Sequence, residues 1–550
     1  MKKIFLFTVL FATAAIACDK IDNESIQKGE DSDVVMITEK ISANVNPSSK
    51  AEVAADAKFT WSAGDQLAVH VDDGKYYTTT ALASGGSNTA EFSVSYPGGQ
   101  ERNAFAIYPA SIVSVSAANY GQSGQPLDVT LDASYTLDKV SGTVTPCPMI
   151  ATNTPGSGWE FKQLCGLLRL TVNNIPSDAT GLLIQFPGKK VNGAFSISSP
   201  VTPGTSTIAT GVPAAGEDKI TVTFDAGITS ATVNIPLPTG AYEDVYITPV
   251  GSSTKVAAVR HINGASYTAT RAHGGKLTMT LVSFSVSGSK KVIFAPGNLQ
   301  ASTSDLGTNW TWKFAPTQYT AIKNNTANTT ITGKGTVSAN GSVDLFGYST
   351  DHYNNFFGII KSKRDNYYSD GPTRGAFVDW SVNNIGEYSS NFWYTMAKSE
   401  WEYLINTRTS PKFAKVSVNG VDGLLLFPDD FVWNTTTMGN IPSTVDNKSG
   451  NYNSTDCSIS LSHWTNLEAA GVVFLPGTGY RPQNENYVTN LDPARGYYWC
   501  SDTNGTQSGS GTTYDNNSTY YLHFLQGDMT TSYTMAKRSG AAVRLAREIE

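Results

Sequence analysis

Charged residues are scarce in this sequence. Asp, Glu, Lys and Arg make up 15% of the 550 residues, against ~25% in a typical soluble protein. This shortage excludes coiled coils and long helices held by charged pairs. It favours strands with many turns, because Ser, Thr, Asn, Gly and Tyr replace the missing charges. The net charge of -7 also excludes a binder of the nucleic-acid backbone, which needs a basic surface.

Long apolar runs and chemical motifs are missing too. Beyond residue 17 no segment has 18 uninterrupted apolar residues, so no membrane-spanning helix is expected. The five cysteines form no CxxC pair, which excludes thioredoxin-like and zinc-ribbon sites. No HExxH, GxSxG or phosphate-loop motif is present. The scattered histidines are read as structural or surface side chains: His70, His261, His273, His352, His463 and His523. We therefore expect no catalytic residues, no cofactor and no metal, and hence no enzyme.

What is present is enough apolar material for several cores. Hydrophobic residues make up 40% of the chain, which excludes a wholly disordered protein. At roughly 100–200 residues per domain, a chain of this length is expected to contain two to four domains.

The N-terminus has the pattern of an export signal. Lys2 and Lys3 precede an apolar run, and residues 15–18 (AIAC) resemble a relaxed bacterial lipobox. The resemblance implies a signal peptide over residues 1–17, acylation (palmitate) at Cys18 and an acidic tether over residues 18–33. Such a tether is similar to those that send Bacteroidota lipoproteins to the outer surface. The expected location is therefore the outer membrane at the cell surface, lipid-anchored; plain Ala-x-Ala cleavage is the alternative.

The four other cysteines leave two possibilities open. In an exported protein the pairs Cys147–Cys165 and Cys457–Cys500 could form disulfides. Buried free thiols are the alternative.

Residues 34–282 are predicted to form strands. Leu168, Leu170 and Val172 alternate with polar residues, as in a strand with one buried face. Many such short strands between Gly, Pro, Ser and Asn turns predict sandwiches. The length suits two of them, at residues 34–157 and 158–282.

This region also resembles the fimbrillin-like (Mfa-like) proteins of Bacteroidota. The resemblance rests on the order of five segments: 61–69 (WSAGDQLAV), 106–110 (AIYPA), 146–149 (PCPM), 161–170 (FKQLCGLLRL) and 237–242 (LPTGAY). It implies all-β, transthyretin-like sandwiches of the kind used in pilus subunits, tips and anchors.

Residues 285–550 have a different composition and contain the two predicted helices. Ser399 is expected to cap a helix over residues 400–408, with Glu402 completing a capping box. Thr465 and Glu468 repeat the pattern before Gly471, a suitable C-terminal stop. Short helices among strands and long loops predict an α+β domain.

The same region resembles the C-type-lectin-like fold, in the branch shared with formylglycine-generating enzymes. The segments are 292–299 (VIFAPGNL), 312–315 (WKFA), 344–348 (DLFGY), 399–404 (SEWEYL), 471–476 (GVVFLP), 479–481 (GYR), 496–499 (GYYW) and 538–545 (RSGAAVRL). The close cysteine pair of the oxidases is missing, because Cys500 has no neighbouring partner. The Glu-Pro-Asn and Trp-Asn-Asp motifs of calcium lectins are missing as well. Asp429 and Asp430 could supply calcium ligands but are more simply turn or cap residues.

The proposed ligand-binding residues lie in a stretch rich in Tyr, Asn, Ser and Gly, a mixture suited to adaptable contact. The candidates are Asp502, Asn504, Tyr514, Asn516, Asn517, Tyr520, His523, Gln526, Asp528 and Tyr533. An ordinary polar loop beside a core strand is the alternative.

Together these features predict a surface lipoprotein adhesin that binds an extracellular glycan or protein through its C-terminal domain. The alternative is a structural pilus component, partnered by other pilus subunits, in which residues 34–45 serve as an exchangeable strand.

Overall fold

The computed structural model describes most of the chain. The described residues are 27–28, 35–45, 60–71, 73–100, 102–113, 127–137, 148–152, 159–197, 216–262, 268–269, 274–304, 309–322, 331–332, 336–337, 341–349, 377–452, 454–482, 487–491, 494–503, 518–537 and 539–550. Strands dominate and are distributed over several sheets.

The strands before residue 283 are β1 (Gln27–Lys28), β2 (Val35–Val45), β3 (Ala68–Val71), β4 (Tyr76–Thr78), β5 (Thr89–Pro97), β6 (Arg102–Tyr108), β7 (Leu127–Leu131), β8 (Ser134–Thr136), β9 (Met149–Thr152), β10 (Trp159–Gln163), β11 (Gly166–Asn173), β12 (Gly181–Gln185), β13 (Gly193–Ile197), β14 (Lys219–Thr223), β15 (Ser230–Leu237), β16 (Gly240–Ala241), β17 (Asp244–Val250), β18 (Ala258–His261), β19 (Thr268–Ala269) and β20 (Gly274–Thr280).

The later strands are β21 (Phe284–Ser285), β22 (Lys291–Phe294), β23 (Leu299–Thr303), β24 (Thr311–Phe314), β25 (Ile331–Thr332), β26 (Thr336–Val337), β27 (Gly341–Val343), β28 (Tyr394–Thr395), β29 (Phe413–Val418), β30 (Val421–Leu426), β31 (Ser458–Ile459), β32 (Val473–Pro476), β33 (Gly496–Thr503), β34 (Ser518–Leu525), β35 (Asp528–Thr530), β36 (Thr534–Ala536) and β37 (Leu545–Glu548). The helices are α1 (Lys398–Glu402), which continues as a π-helical turn over Tyr403–Thr407, α2 (Thr435–Met438) and α3 (Leu461–Ala469).

The first sheet is built around the WSAGD segment. Its strand order is β1-β2-β10-β9-β6-β3-β4, with β5 on β2. Trp61 is buried with edge-on contacts to Phe92 and Tyr108, at 5.0 and 5.3 Å between ring centroids. Asp65 accepts hydrogen bonds from the Ser62 amide (2.7 Å) and the Tyr108 hydroxyl (2.8 Å). Two of the resembling segments therefore meet in one core.

The second group of sheets forms a sandwich. One sheet has the order β15-β11-β20 and the other β18-β17-β12-β14-β8. The expected alternation is confirmed, because Leu168, Leu170 and Val172 are buried while Arg169 and Thr171 are half-buried.

Strand pairing in the structure does not follow the boundary expected at residue 158. β10 follows that boundary but belongs to the first sheet. β7 and β8 precede it, yet they pair with β13 and β14. The two β-rich units therefore exchange strands across the expected boundary. Pairing in a sheet depends on spatial neighbours, which a one-dimensional pattern does not give.

The C-terminal part contains several small sheets. β22, near the start of this part, and β37, at its end, pair antiparallel and bring the two ends together. The sheet β31-β29-β30-β32 lies beside α3, and β33 and β34 form a hairpin extended by β35 and β36.

The two predicted helices, α1 and α3, occur where expected, but their N-terminal capping residues are not the predicted ones. α1 begins after Ala397, whose amide donates to the Glu400 carboxylate at 2.8 Å, so Ser399 is not the cap. The buried stripe of Trp401, Leu404 and Ile405 is confirmed.

At α3 the cap is Ser460, whose hydroxyl accepts the His463 amide at 3.3 Å. Thr465 instead lies inside the helix and bonds back to the Leu461 carbonyl at 2.9 Å. Gly471 does follow the helix as a stop, with φ +83°. In the described part of the chain no helix is both long and apolar enough to cross a membrane.

The second sandwich and the C-terminal part share a tightly bonded junction. Tyr246 and Ala257 of the sandwich are buried among C-terminal side chains. Arg260 forms an ion pair with Glu468 of α3 at 2.8 Å, and Thr280 donates to the Ala469 carbonyl at 2.8 Å. β21, at the expected start of the C-terminal region, pairs with β22 in the C-terminal sheet. These two parts therefore meet through a fixed interface.

Candidate functional site

A group of aromatic rings gathers on the β33–β34 hairpin. Tyr497 lies opposite His523, and Trp499 lies opposite Tyr521, in the antiparallel register. Because side chains on alternate residues of a strand share one face, these rings point to the same side of the hairpin. Tyr480 and Tyr533 complete the group. We call Tyr480, Tyr497, Tyr521, His523 and Tyr533 the tyrosine–histidine face.

The rings of this face contact one another directly. The centroid of Tyr497 is 4.6 Å from Tyr480, 4.7 Å from His523 and 5.5 Å from Tyr521. Tyr533 lies 5.6 Å from His523. Spacings of 4.5–7 Å are those at which aromatic pairs attract. Tyr480 is half-buried and Tyr533 is exposed, so the face has two rings toward solvent over a buried base.

His523 lies at the base of the face, and the structure describes no hydrogen-bond partner for it. Its side chain is only 5% exposed, and neither ring nitrogen is bonded among the described residues. Burial lowers the pKa of His523 to about 4, and the Asp528 carboxylate only partly opposes it. The imidazole is therefore neutral near pH 7, with one donor and one acceptor nitrogen, both unused. A buried polar group of this kind is costly and needs an explanation, so this position is a candidate for ligand binding.

Polar groups surround the rings. The Tyr533 hydroxyl donates to Asp528 at 3.2 Å, which raises the pKa of Tyr533. The Asn490 amide donates to the Tyr497 hydroxyl at 2.7 Å, and Arg495 acts electrostatically on both Tyr497 and His523. The face therefore combines apolar ring surfaces with hydrogen-bonding groups, as small-ligand sites do.

Some of the expected ligand-binding residues meet here and others do not. His523, Asp528 and Tyr533 lie together, and Gln526 is in the β34–β35 turn next to them. Tyr520 instead lies beneath the Lys398 ammonium, 5.1 Å away.

Asp502 also has a structural role, because its carboxylate accepts a hydrogen bond from the Lys398 backbone amide at the start of α1. Asn504, Tyr514, Asn516 and Asn517 lie outside the described residues.

Tyr480 and Tyr497 are not among the ligand-binding residues expected from the sequence. Both belong to segments that were used only as marks of the fold, GYR and GYYW. Tyr521 and His523 share the i, i+2 spacing of one strand face, and that spacing could have indicated the pairing with Tyr497. The contribution of Tyr480 comes from a separate hairpin and has no signal of this kind.

The calcium alternative is not supported by the surroundings of Asp429. Its carboxylate accepts hydrogen bonds from the Ser285 hydroxyl at 2.7 Å and the Arg408 guanidinium at 3.2 Å. Although burial opposes the charge, these partners lower the pKa of Asp429. Asp429 thus holds β21 in place as a structural residue, while Asp430 adopts the left-handed conformation of a turn, with φ +59°. Within the described ranges no group of three His, Cys, Asp or Glu side chains is placed to hold a metal.

The cysteines Cys457 and Cys500 are free thiols in this structure, so the proposed Cys457–Cys500 disulfide is absent. They are buried in different hydrophobic clusters, and a disulfide needs Cα atoms within about 7 Å. Cys165 is buried, and its proposed partner Cys147 lies outside the described residues.

Burial raises the pKa of both Cys457 and Cys500, so neither is a reactive thiolate near pH 7. We expect iodoacetamide to modify them only after unfolding, as read by peptide mass mapping with and without denaturant. A Cys457–Cys500 linked peptide in the unreduced digest would contradict this expectation.

Comparisons with known proteins give only distant structural likenesses. No family model and no curated protein matches the chain. Solved structures that resemble it include a candidate cell adhesion protein from Bacteroides uniformis, at 16% identity over 46% of this chain and 94% of that one, with a TM-score of 0.27. Another is the tip fimbrial protein Mfa3 from Porphyromonas gingivalis with a C-terminal truncation, at 13% identity over 41% and 82%, TM-score 0.19. A fimbrial protein from Bacteroides ovatus aligns over 92% and 97% at 10% identity, TM-score 0.19.

Proposed function

We propose that this protein is a surface-exposed lipoprotein adhesin that binds an extracellular ligand through its C-terminal domain, at the tyrosine–histidine face. One observation carries the proposal: a neutral, buried imidazole, neither of whose nitrogens has a partner in the described part of the chain, contacts the exposed Tyr533 ring and the Tyr497 ring. Tyrosine offers large contact area at low entropic cost, and it is enriched where proteins recognise partners.

The junction between the second sandwich and the C-terminal domain supports this role. An adhesin transmits force from its ligand to its anchor, and a loose linker would let the binding domain swing. Here an ion pair, a shared apolar cluster and the hydrogen bond from the Thr280 hydroxyl to the Ala469 carbonyl connect the two parts. A second ion pair, Lys189–Glu387 at 2.8 Å, lies between the same two parts. The binding domain is thereby held in one orientation relative to the sandwich.

The lipid anchor is part of the proposal and rests on the AIAC segment, since Cys18 lies outside the described residues. Mass spectrometry of the mature N-terminus tests it: an acylated Cys18 is expected as the first residue. Cleavage beyond Cys18 would overturn the anchor without affecting the binding face.

The pilus alternative needs residues 34–45 to leave their sheet. In the structure β2 pairs with β5 over nine consecutive residue pairs and also contacts β10. Its loss would expose the edges of two strands. Retention of β2 in the mature protein, read from the same mass spectrum, favours a stand-alone adhesin.

The binding face itself is tested by removing its two outer rings. The double variant Tyr480→Ala/Tyr533→Ala of the full-length protein is expected to lose at least about tenfold in affinity, because central aromatic contacts dominate recognition. Binding is measured on arrays of glycans and extracellular proteins, followed by titration of any hit.

Val432→Ala is the matched control. This side chain is 81% exposed, in the same domain and outside the face, so binding should be unchanged. Equal binding by the double variant and the wild type would place the ligand site elsewhere.

A further inference from the structure

Resting on the proposed function, we propose that the ligand of the tyrosine–histidine face is a glycan, bound without metal. One sugar ring packs on the tyrosine rings and hydroxyl groups of the glycan bond to the His523 nitrogens. The proposal names a ligand class for the site and a residue that selects it.

The hydrogen-bonding capacity of His523 is the first step of the argument. A neutral imidazole has one N–H donor and one acceptor nitrogen, and here both are buried and unpartnered among the described residues. A sugar hydroxyl both donates and accepts, so it can bond to whichever nitrogen of the neutral ring it reaches, and a hydroxyl of a second sugar unit can serve the other. A carboxylate or phosphate ligand only accepts, so it would leave the acceptor nitrogen of His523 unsatisfied.

The ring surfaces are the second step. Tyr480 and Tyr497 are in close contact, at 4.6 Å between centroids and 38° between planes. The half-buried Tyr480 ring is held in place by the buried Tyr497 ring, and it offers an apolar surface with a hydroxyl group at its edge. A pyranose ring has the same combination, since its C–H groups form an apolar face and its hydroxyls project around the rim. Packing of the C–H face on aromatic rings removes apolar surface from water.

The charged side chains beside the face do not favour an ionic ligand of either sign. The Asp528 carboxylate and the Arg495 guanidinium both act on His523 and have opposite signs. The nearby ammonium of Lys415 is buried behind the Asp528 turn. It donates hydrogen bonds to four backbone carbonyls and so is not available to an anionic ligand. Recognition is therefore assigned to hydroxyl geometry.

The exposed part of the face is small, which favours a sugar over a protein surface. Tyr497, Tyr521 and His523 are each less than 10% exposed, and Tyr533 covers His523 with a side chain that is 48% exposed. A stable protein interface needs ~800 Å² from each partner. A sugar ring needs only the two outer rings and the histidine, which it reaches when the Tyr533 side chain turns aside.

The test uses the full-length protein on an array with uncharged glycans, acidic glycans and extracellular proteins, in buffer with EDTA. We expect binding to glycans, retained in EDTA. His523→Phe keeps an aromatic ring but removes both nitrogens, and it should weaken glycan binding at least tenfold. The same variant should melt at an equal or higher temperature, because two unsatisfied buried nitrogens are gone. That combination distinguishes recognition from a structural role.

Two further variants complete the design. His523→Gln keeps a donor and an acceptor and is expected to retain part of the affinity, which also covers the case in which His523→Phe fails to fold. His463→Ala, at a histidine on α3 away from the face, should bind as the wild type does.

The possible failures are distinguishable. Binding to extracellular proteins alone would overturn the glycan assignment and leave the adhesin proposal standing. Binding to nothing on the array would overturn both. Glycan binding that needs divalent metal, or that His523→Phe leaves intact, would overturn the assigned mode of recognition.

Discussion

Replacing Lys415 with methionine is expected to lower the free energy of unfolding by about 3–5 kcal/mol, the range seen when a buried charged group is removed from its partners. The Lys415 side chain is fully buried in the C-terminal domain. Its ammonium donates to the carbonyls of Lys448, Gly450 (3.2 Å), Leu525 (2.7 Å) and Asp528 (2.9 Å).

The physical reason is that one cation satisfies oxygens from two distant segments. Residues 448–450 follow β30, whereas Leu525 and Asp528 flank the β34–β35 turn. Burial lowers the pKa of Lys415 to about 8, so the group is still an ammonium at pH 7 and uses its three protons. Methionine fills a similar volume but donates nothing, and the carbonyls then remain buried without this donor.

Urea unfolding followed by tryptophan fluorescence measures the effect. Lys313→Met is the control, because Lys313 is exposed on β24 and should change stability by less than ~0.5 kcal/mol. A loss below about 1 kcal/mol in Lys415→Met would show that the carbonyls find other partners. Since the Asp528 turn belongs to the rim of the candidate site, ligand binding should weaken along with stability.

The second large effect is expected at the junction, from His261→Phe. The His261 ring contacts the Asp244 carboxylate through Nδ1 and the Ala315 carbonyl, at 2.7 Å, through Nε2. Both partners are acceptors, so both nitrogens must donate and the ring is a charged imidazolium. Removing it leaves a buried carboxylate without its cation, which costs about 3–5 kcal/mol.

The same geometry predicts a pH dependence. Burial opposes the charge on His261, but the Asp244 carboxylate and the Ala315 carbonyl outweigh it and raise the pKa of His261 above 6.5. A raised pKa in the folded state means that this stabilisation is complete below the unfolded pKa. It is then lost as pH rises through the folded value.

The other ionisable groups near this ring are Arg260 and Glu468, which form their own ion pair, and Tyr388, on which the Asp244 carboxylate acts electrostatically. The wild type should therefore lose stability as the pH rises above about 6.5, and His261→Phe should lose less over the same interval. Denaturant unfolding at each pH measures this, with His463→Phe as the control histidine. Identical pH dependence in wild type and His261→Phe would show that the ring is neutral.

The candidate site shows how far sequence patterns reach. His523, Asp528 and Tyr533 lie within eleven residues of one another, and their composition alone indicated a contact surface. Tyr480 joins them only because the 480–489 bridge and the Arg481–Gly540 bridge bring a separate segment to the hairpin. Tyr520, although adjacent to Tyr521, faces the opposite side of β34 and contacts Lys398. Residues that are adjacent in a strand lie on opposite faces of the sheet, because successive side chains alternate between the two faces.

The amino-acid sequence by itself determined the class of structure: strands from alternating apolar residues, two short helices from their buried stripes, and an α+β region that begins near residue 285. These features follow from local periodicity and turn chemistry, which act over a few residues. The tertiary structure alone decided which strands pair across residue 158, where Lys415 and His261 find their partners, and which rings surround His523. Those outcomes depend on contacts between residues far apart in the chain, which local patterns do not determine.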